Sequence, residues 1–173
     1  AHEEARVLLG DEPVLREYED LKKLDLFEAL STEATRLKPI APLNSVEPLQ
    51  DVVLDGIEIP KGTRMFFINR PALRDSRNFA QAERYDPERW TRDRHDGPGA
   101  AEAHNPRAYL QFGAGPRVCP GRHLAGVEIR LVLSMLMRHF EIELACDPAE
   151  IKEVLAFALT PSKMPVRLKP RMA

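Results

Sequence analysis

The stretch Phe112-Gly113-Ala114-Gly115-Pro116-Arg117-Val118-Cys119-Pro120-Gly121 sets one cysteine at the end of a glycine-rich loop, directly ahead of a long apolar run. A sulfur just outside a helix N-terminus faces the positive end of the macrodipole, which stabilises an anion by roughly 0.3–1 kcal/mol and about 2 at best. The position therefore favours a thiolate. Pro120 has no N–H, so the first-turn donors expected to point at the sulfur are the amides of Gly121 and Arg122. Gly113, Gly115 and Gly121 strip side chains from the loop where something flat and bulky comes close to the backbone.

A lone cysteine is most often an inert packing residue, and that reading stays open on the loop alone. Several busier readings fail on their own terms. Val118 stands where a dinucleotide fingerprint starting at Gly113 needs its third glycine, and no Gly-Lys-Ser/Thr follows for a phosphate loop. A cysteine phosphatase loop needs arginine six positions after its nucleophile, where this chain has Ala125. No second cysteine accompanies Cys119 at zinc-site spacing. The run closely resembles the haem-binding loop of the cytochrome P450 family, Phe-x-x-Gly-x-Arg-x-Cys-x-Gly, with every fixed position filled. Leu124, Ala125 and Glu128 also match.

The rest of the chain suits one folded body. Charged residues make up 30% and the hydrophobic set 43%, a balance that suits a folded soluble chain rather than a disordered one. A net charge of −2 argues against a general nucleic-acid binder. Two cysteines provide no disulfide framework, which points to the cytoplasm or another reducing compartment. No membrane span or leader is visible, and an anchor in a preceding segment stays open.

Residues 1–25 read as a helix ending near Gly10, a turn at Asp11-Glu12-Pro13 and a short helix over residues 17–23. A clearer helix covers residues 26–37, with Leu26, Phe27, Leu30, Ala34 and Leu37 near one face and Pro39 as its stop. Glu33 and Arg36 lie three apart on that helix. Such pairs are usually exposed and contribute little. In this chain Glu33-x-x-Arg36 resembles the family's Glu-x-x-Arg helix, and Pro87-Glu88-Arg89-Trp90 resembles its later arginine motif. The resemblance implies that Glu33, Arg36 and Arg89 form one buried network, with Arg89 bridging as only a guanidinium can.

Between these motifs, Val52-Val53-Leu54 and Ile57-Glu58-Ile59 flank Asp55-Gly56, a type I′ hairpin signal, and Met65-Phe66-Phe67-Ile68 reads as a strand. Residues 93–106 read as an exposed loop rich in Gly, Ala, Pro and charge. Residues 122–139 are apolar on almost all sides and predict a largely buried helix, with too many charges for a membrane span. Phe140-Glu141-Ile142-Glu143-Leu144 alternates as a strand. Phe157-Ala158-Leu159-Thr160 and Val166-Arg167-Leu168 read as a closing pair of strands, and Cys146 as a filler.

The fold class expected is mainly α with small β-sheets (α+β), the C-terminal portion of a cytochrome P450 fold. In sequence order it runs as helices over 1–50, hairpin and strand over 51–70, meander and cysteine loop over 71–121, a long buried helix over 122–140 and closing strands over 141–173. The resemblance implies a haem-thiolate monooxygenase that inserts one oxygen atom from O2 into an apolar small molecule. Electrons would come from NAD(P)H through a flavin reductase or ferredoxin-type donor. Cys119 would be the thiolate ligand of the haem iron, whose coordination removes the thiol proton and whose sulfur donates electron density to the metal. Phe112, Gly113, Gly115, Arg117 and Gly121 would complete the haem site, Arg117 pairing with a propionate. A second propionate-binding arginine expected about ten residues after Arg36 is absent from Leu43-Asn44-Ser45-Val46-Glu47.

Ile40, Ala41 and Leu43 are candidate substrate-pocket residues, with residues 154–157 as a second candidate; both read equally as plain core. Arg107, Arg122, His123 and Arg130 are candidates for a basic face that meets an acidic donor. The motifs cover only the later part of the family's fold, so residues 1–173 are expected to be incomplete for catalysis without an N-terminal part. Two further readings stay open: a haem-thiolate enzyme that uses or rearranges peroxides, and a non-catalytic relative that needs a partner to fold.

Overall fold

The computed structural model describes residues 1–91 and 104–171, so most of the loop expected over residues 93–106 lies outside the described residues. Helix α1, His2–Leu9, ends at Gly10, whose φ of 56° turns the chain out of the helix. A 3-10 helix, Tyr18–Lys23, leads into α2, Asp25–Leu37, which stops two residues before the buried Pro39. The long helix α4, Arg122–His139, lies against both α1 and α2. Ala5, Leu9, Leu21, Leu24 and Phe27 form the buried core there, with Val127, Leu131 and Met137 of α4 packed on it.

The inward face of α2 differs from the apolar stripe expected. Phe27, Ala29, Glu33 and Arg36 are buried, whereas Ala34 is exposed and Leu37 half-buried. The helix is rotated so that its charged pair faces inward, where a second small core awaits it. That core is Leu73, Phe79 and Ala82, with Trp90, Ala108 and Tyr109 against it. Leu73 ends the short helix α3, Asn69–Leu73, and Trp90 ends the 3-10 turn Pro87–Trp90.

The described strands form four antiparallel pairs. β2, Val52–Leu54, and β3, Ile57–Ile59, make the hairpin, with φ of 50° at Asp55 and 79° at Gly56 as a type I′ turn requires. β4, Met65–Ile68, pairs with β1, Leu43–Val46, a strand the sequence did not signal because Leu-Asn-Ser-Val does not alternate. The closing strands also pair otherwise than expected. β5, Phe140–Leu144, takes β8, Val166–Pro170, as its partner, while β6, Glu153–Leu155, pairs with β7, Leu159–Pro161. Phe157 lies in the turn between β6 and β7, fully exposed, and not in a strand. A turn this short returns the chain beside the strand just left, which the local pattern of residues 157–160 did not show.

Helix α4 is not buried as expected. Ser134 is its one fully buried residue, and Leu124 and Val132 are 61% and 50% exposed. An all-round apolar helix needs neighbours on every side, and α1, α2 and the Tyr18–Lys23 turn cover only part of it. Leu124 and Val132 lie two turns apart on one uncovered face. Residues 1–173 in isolation should therefore self-associate through exposed apolar surface. Sedimentation velocity should show a weight-average coefficient that rises with concentration, and Leu124→Lys combined with Val132→Lys should move it toward the monomer value. A wild-type chain that stays monomeric across that range would contradict the expectation.

Candidate functional site

The cysteine loop is shaped by its own backbone. The Cys119 N–H donates to the Phe112 carbonyl at 2.8 Å, closing the loop, and the Val118 N–H donates to the Gly115 carbonyl at 3.1 Å. Gly113 and Gly115 hold φ of 73° and 66°, a region in which an L side chain is strained. Every residue from 113 to 120 is exposed, and Cys119 is a free, exposed thiol. A methyl group added at Gly121 would sit 3.7 Å from Sγ. The loop thus presents a sulfur on bare backbone.

The Arg122 amide does not act as expected. It donates to the Cys119 carbonyl at 3.3 Å, because residues 119–122 close a turn before α4 begins with Ala125 N–H on the Gly121 carbonyl. Among the described residues, no group of three or more His, Cys, Asp or Glu side chains is arranged to hold a metal ion. Cys119 therefore offers a single sulfur. That donor set suits a metal carried in a ring that supplies its own remaining ligands, and the glycine-bared loop suits a flat group laid against it.

Arg117 ends the exposed 3-10 turn Gly115–Arg117, two residues before the sulfur. Phe112 joins Thr35, Ile40, Tyr109, Ala125 and Gly126 around an open cavity of about 380 Å³ between α2 and α4. Ile40 is 48% exposed, and Ala41 and Leu43 continue the same strip into β1. The structure thus brings Ile40 to the same hollow as the loop's Phe112, while residues 154–157 span the end of β6 and the exposed β6–β7 turn and do not line that hollow. Of the four basic residues, Arg107, Arg122 and His123 are exposed. Arg130 is instead engaged inward, donating to the Gly126 and Leu21 carbonyls and pairing with Glu28 at 3.1 Å. Its placement mid-helix, facing α2, takes it out of any basic face.

Glu33, Arg36 and Arg89 meet in a water-free site, Glu33 and Arg36 both fully buried and Arg89 5% exposed. Each N–H of the Arg36 guanidinium finds an acceptor. Nε and Nη2 hold the Glu33 carboxylate at 2.8 and 2.9 Å, Nη2 also reaches the Arg84 carbonyl at 3.1 Å, and Nη1 donates to the Leu73 and Ala82 carbonyls at 2.6 and 2.7 Å. Arg89 Nε donates to Glu33 at 3.0 Å and its Nη2 to the Ala80 carbonyl at 3.2 Å. The network is wider than the sequence motifs suggested. The Trp90 indole N–H and the Asp86 amide also donate to Glu33, at 2.8 and 2.9 Å, and the Arg36 guanidinium lies 5.2 Å from the Phe79 ring centre. Trp90 stood in the quoted arginine motif; its role as a donor was not readable from spacing.

The electrostatics of Glu33 follow from these contacts. Burial alone pushes the carboxyl up, but the Arg36 hydrogen bonds, the Asp86 amide, the Trp90 indole and the Arg36 charge outweigh it and hold the group at about 2. Nearby, Tyr109 packs against Trp90 with ring centres 5.2 Å apart and planes tilted by 58°, and its hydroxyl meets Thr35 Oγ1 at 2.6 Å. This ties the base of the cysteine loop to α2.

Comparison with known proteins agrees with this geometry. The sequence profile described as Cytochrome P450 matches residues 1–168. The chain is 38% identical over 128 residues to a probable cytochrome P450 12c1, mitochondrial, of Drosophila melanogaster, covering 72% of this chain and 24% of that protein. It is 31% identical over 147 residues to the human sterol 26-hydroxylase, mitochondrial, covering 85% and 27%. It is 31% identical over 170 residues to cytochrome P450 4d1 of Drosophila melanogaster, covering 98% and 32%. The chain belongs to the cytochrome P450 family, and it spans about a quarter to a third of the length of these relatives. Among the described residues no helix is long and apolar enough to cross a membrane.

Removing one member of a buried charge network leaves the others unpaired in a low-dielectric site, at a cost of roughly 3–5 kcal/mol. Glu33→Ala and Arg36→Ala should each lower the free energy of unfolding in urea by that amount, a large share of the total for a small domain. Arg36→Lys should recover little of it, since a point charge cannot reach the carbonyls of Leu73, Ala82 and Arg84. The Glu33 carboxyl is depressed from 4.5 to about 2, so its stabilisation is complete above pH 4.5 and is lost as pH falls toward 2. Wild-type stability should decline over that window, and Glu33→Gln should flatten the decline. Unfolding curves indistinguishable from wild type would show the network to be dispensable.

Proposed function

We propose that the chain is the C-terminal, haem-ligating part of a haem-thiolate monooxygenase that inserts one oxygen atom from O2 into an apolar organic molecule. The carrying observation is Cys119: an exposed sulfur on a glycine-bared loop whose backbone is fixed by the Cys119–Phe112 hydrogen bond. Haem bound there supplies the one-electron and dioxygen chemistry that side chains lack. Cys119 holds the iron as a thiolate, and Gly113, Gly115 and Gly121 keep the loop clear for the ring. Arg117 pairs with a propionate. Phe112 shields the sulfur side from water, which strengthens the charge interactions made there.

Glu33, Arg36 and Arg89 do no chemistry in this reading. They keep α2 and the segment after α3 in register, and so keep Phe112 and Ile40 on one hollow. Ile40, Ala41 and Leu43 offer apolar contact to a substrate, in keeping with the sterol hydroxylase among the relatives. Electrons arrive from NAD(P)H through a flavin reductase or ferredoxin-type donor, which would approach the exposed Arg107, Arg122 and His123. The uncovered face of α4 supports the further reading that an N-terminal part of the same fold completes the domain.

Haem-loaded protein, reduced and exposed to carbon monoxide, should show the strongly red-shifted band of a thiolate-ligated iron. Cys119→Ser should abolish that band and Cys146→Ser should leave it unchanged; loss of the band in Cys146→Ser alone would reverse the assignment. Arg117→Leu should leave the band in place but raise the rate of haem loss to a scavenging apoprotein about tenfold or more, as expected for a lost hydrogen bond to a charged group.

A further inference from the structure

Three consecutive carbonyls of the Ile40 strip are held by donors from elsewhere in the chain. Leu159 N–H donates to Ile40 at 2.8 Å, Asn69 Nδ2 to Ala41 at 3.1 Å and Asn69 N–H to Pro42 at 2.9 Å. Asn69 is buried at the start of α3, and Leu159 is the first residue of β7. The strip is therefore fixed on one side by α3 and on the other by the β6–β7 hairpin.

The hairpin has little else to hold it. Its strands are three residues each, and Val154, Leu155 and Phe157 are 45%, 57% and 105% exposed. A two-stranded hairpin of this kind is marginal without external support. Glu153, the first residue of β6, provides that support. Arg70 Nη2 lies 2.7 and 2.6 Å from its two carboxylate oxygens, and Lys38 Nζ binds the same carboxylate. Lys38 caps the C-terminus of α2 immediately before the strip, and Arg70 belongs to α3. One carboxylate thus ties the hairpin to the end of α2, from which the chain runs into the strip, and to α3, which holds the strip's other side.

We propose that Glu153 is a latch that holds the β6–β7 hairpin against Ile40 and so sets the extent of apolar surface that the strip and the hairpin tip offer to a ligand. It is a positioning residue, remote from any reacting atom. The proposal rests on the reading of Ile40, Ala41 and Leu43 as substrate contacts given above. The hydrogen bonds from Arg70 and Lys38 keep the carboxyl at about 2, so the group is charged throughout the neutral range.

The test uses the whole chain loaded with haem. Amide hydrogen exchange at Leu159 reads the hairpin-to-strip bond, with Ala145 N–H, bonded to the Pro165 carbonyl in the other closing pair, as internal control. Glu153→Ala should raise exchange at Leu159 about three- to tenfold, the range expected for losing two exposed ion pairs, with Ala145 unchanged. Lys38→Ala combined with Arg70→Ala should reproduce the effect, which separates the latch from any change in strand propensity at position 153. Spectral titrations with imidazole and with 1-dodecylimidazole then compare one iron-binding group with and without an apolar extension. Glu153→Ala should change the dissociation constant for 1-dodecylimidazole at least threefold and leave that for imidazole unaltered. Unchanged exchange at Leu159 would overturn the latch. Raised exchange with an unchanged ratio of the two dissociation constants would overturn its role in shaping the ligand surface. A wild-type chain that takes up no haem would strike the functional reading instead, while the exchange result would still decide the latch.

Discussion

A carboxylate with no access to water, Glu33, sits where α2 crosses the segment that follows α3. Placing it there is costly, and the fold meets that cost by surrounding it with donors from Arg36, Arg89, Trp90 and Asp86. The remaining Arg36 donors then reach carbonyls at Leu73, Ala82 and Arg84, residues far along the chain that no helix or sheet would otherwise connect to α2. Among the described residues, four small sheets and two separate apolar cores would be only loosely joined on their own. A fully satisfied charge network links them because each missing partner would strand a buried charge.

The cysteine loop depends on that network without touching it. Tyr109, at the base of the loop, packs on Trp90, which itself donates to Glu33, and hydrogen-bonds Thr35 of α2. Phe112 follows three residues later and accepts the Cys119 N–H. The scaffold therefore reaches the sulfur through a tilted ring pair and one backbone bond. The division of labour is physical: charge holds the frame, while the loop itself carries bare backbone and one exposed thiol.

The strip from Ile40 to Leu43 is placed in a third way, by hydrogen bonds that its backbone carbonyls accept from Asn69 and Leu159. Ile40 and Leu43 keep exposed side chains, with Ala41 and Pro42 half-buried, because the strip is held through its carbonyls. Holding through the backbone asks for no apolar pattern in the side chains. It also explains how Leu43–Val46 is a strand without an alternating sequence: it is recruited by β4, not by its own pattern.

The amino-acid sequence alone determined the family, the cysteine loop and the identity of the charged trio, because each rests on residue types at fixed short spacing. It also determined the Asp55-Gly56 hairpin, since positive φ at both positions is a local demand. What it did not determine was which way surfaces face. The apolar stripe read on α2 had Ala34 inward; the tertiary structure instead turned in Glu33 and Arg36, the pair whose burial the family resemblance implied, because partners up to 57 positions away satisfy them. The pairing of β5 with β8 and of β6 with β7, the outward Phe157 and the uncovered face of α4 were likewise decided only in three dimensions. Local pattern says that an apolar residue needs a neighbour or that a strand needs a partner; which distant segment provides it is set by packing of the whole chain.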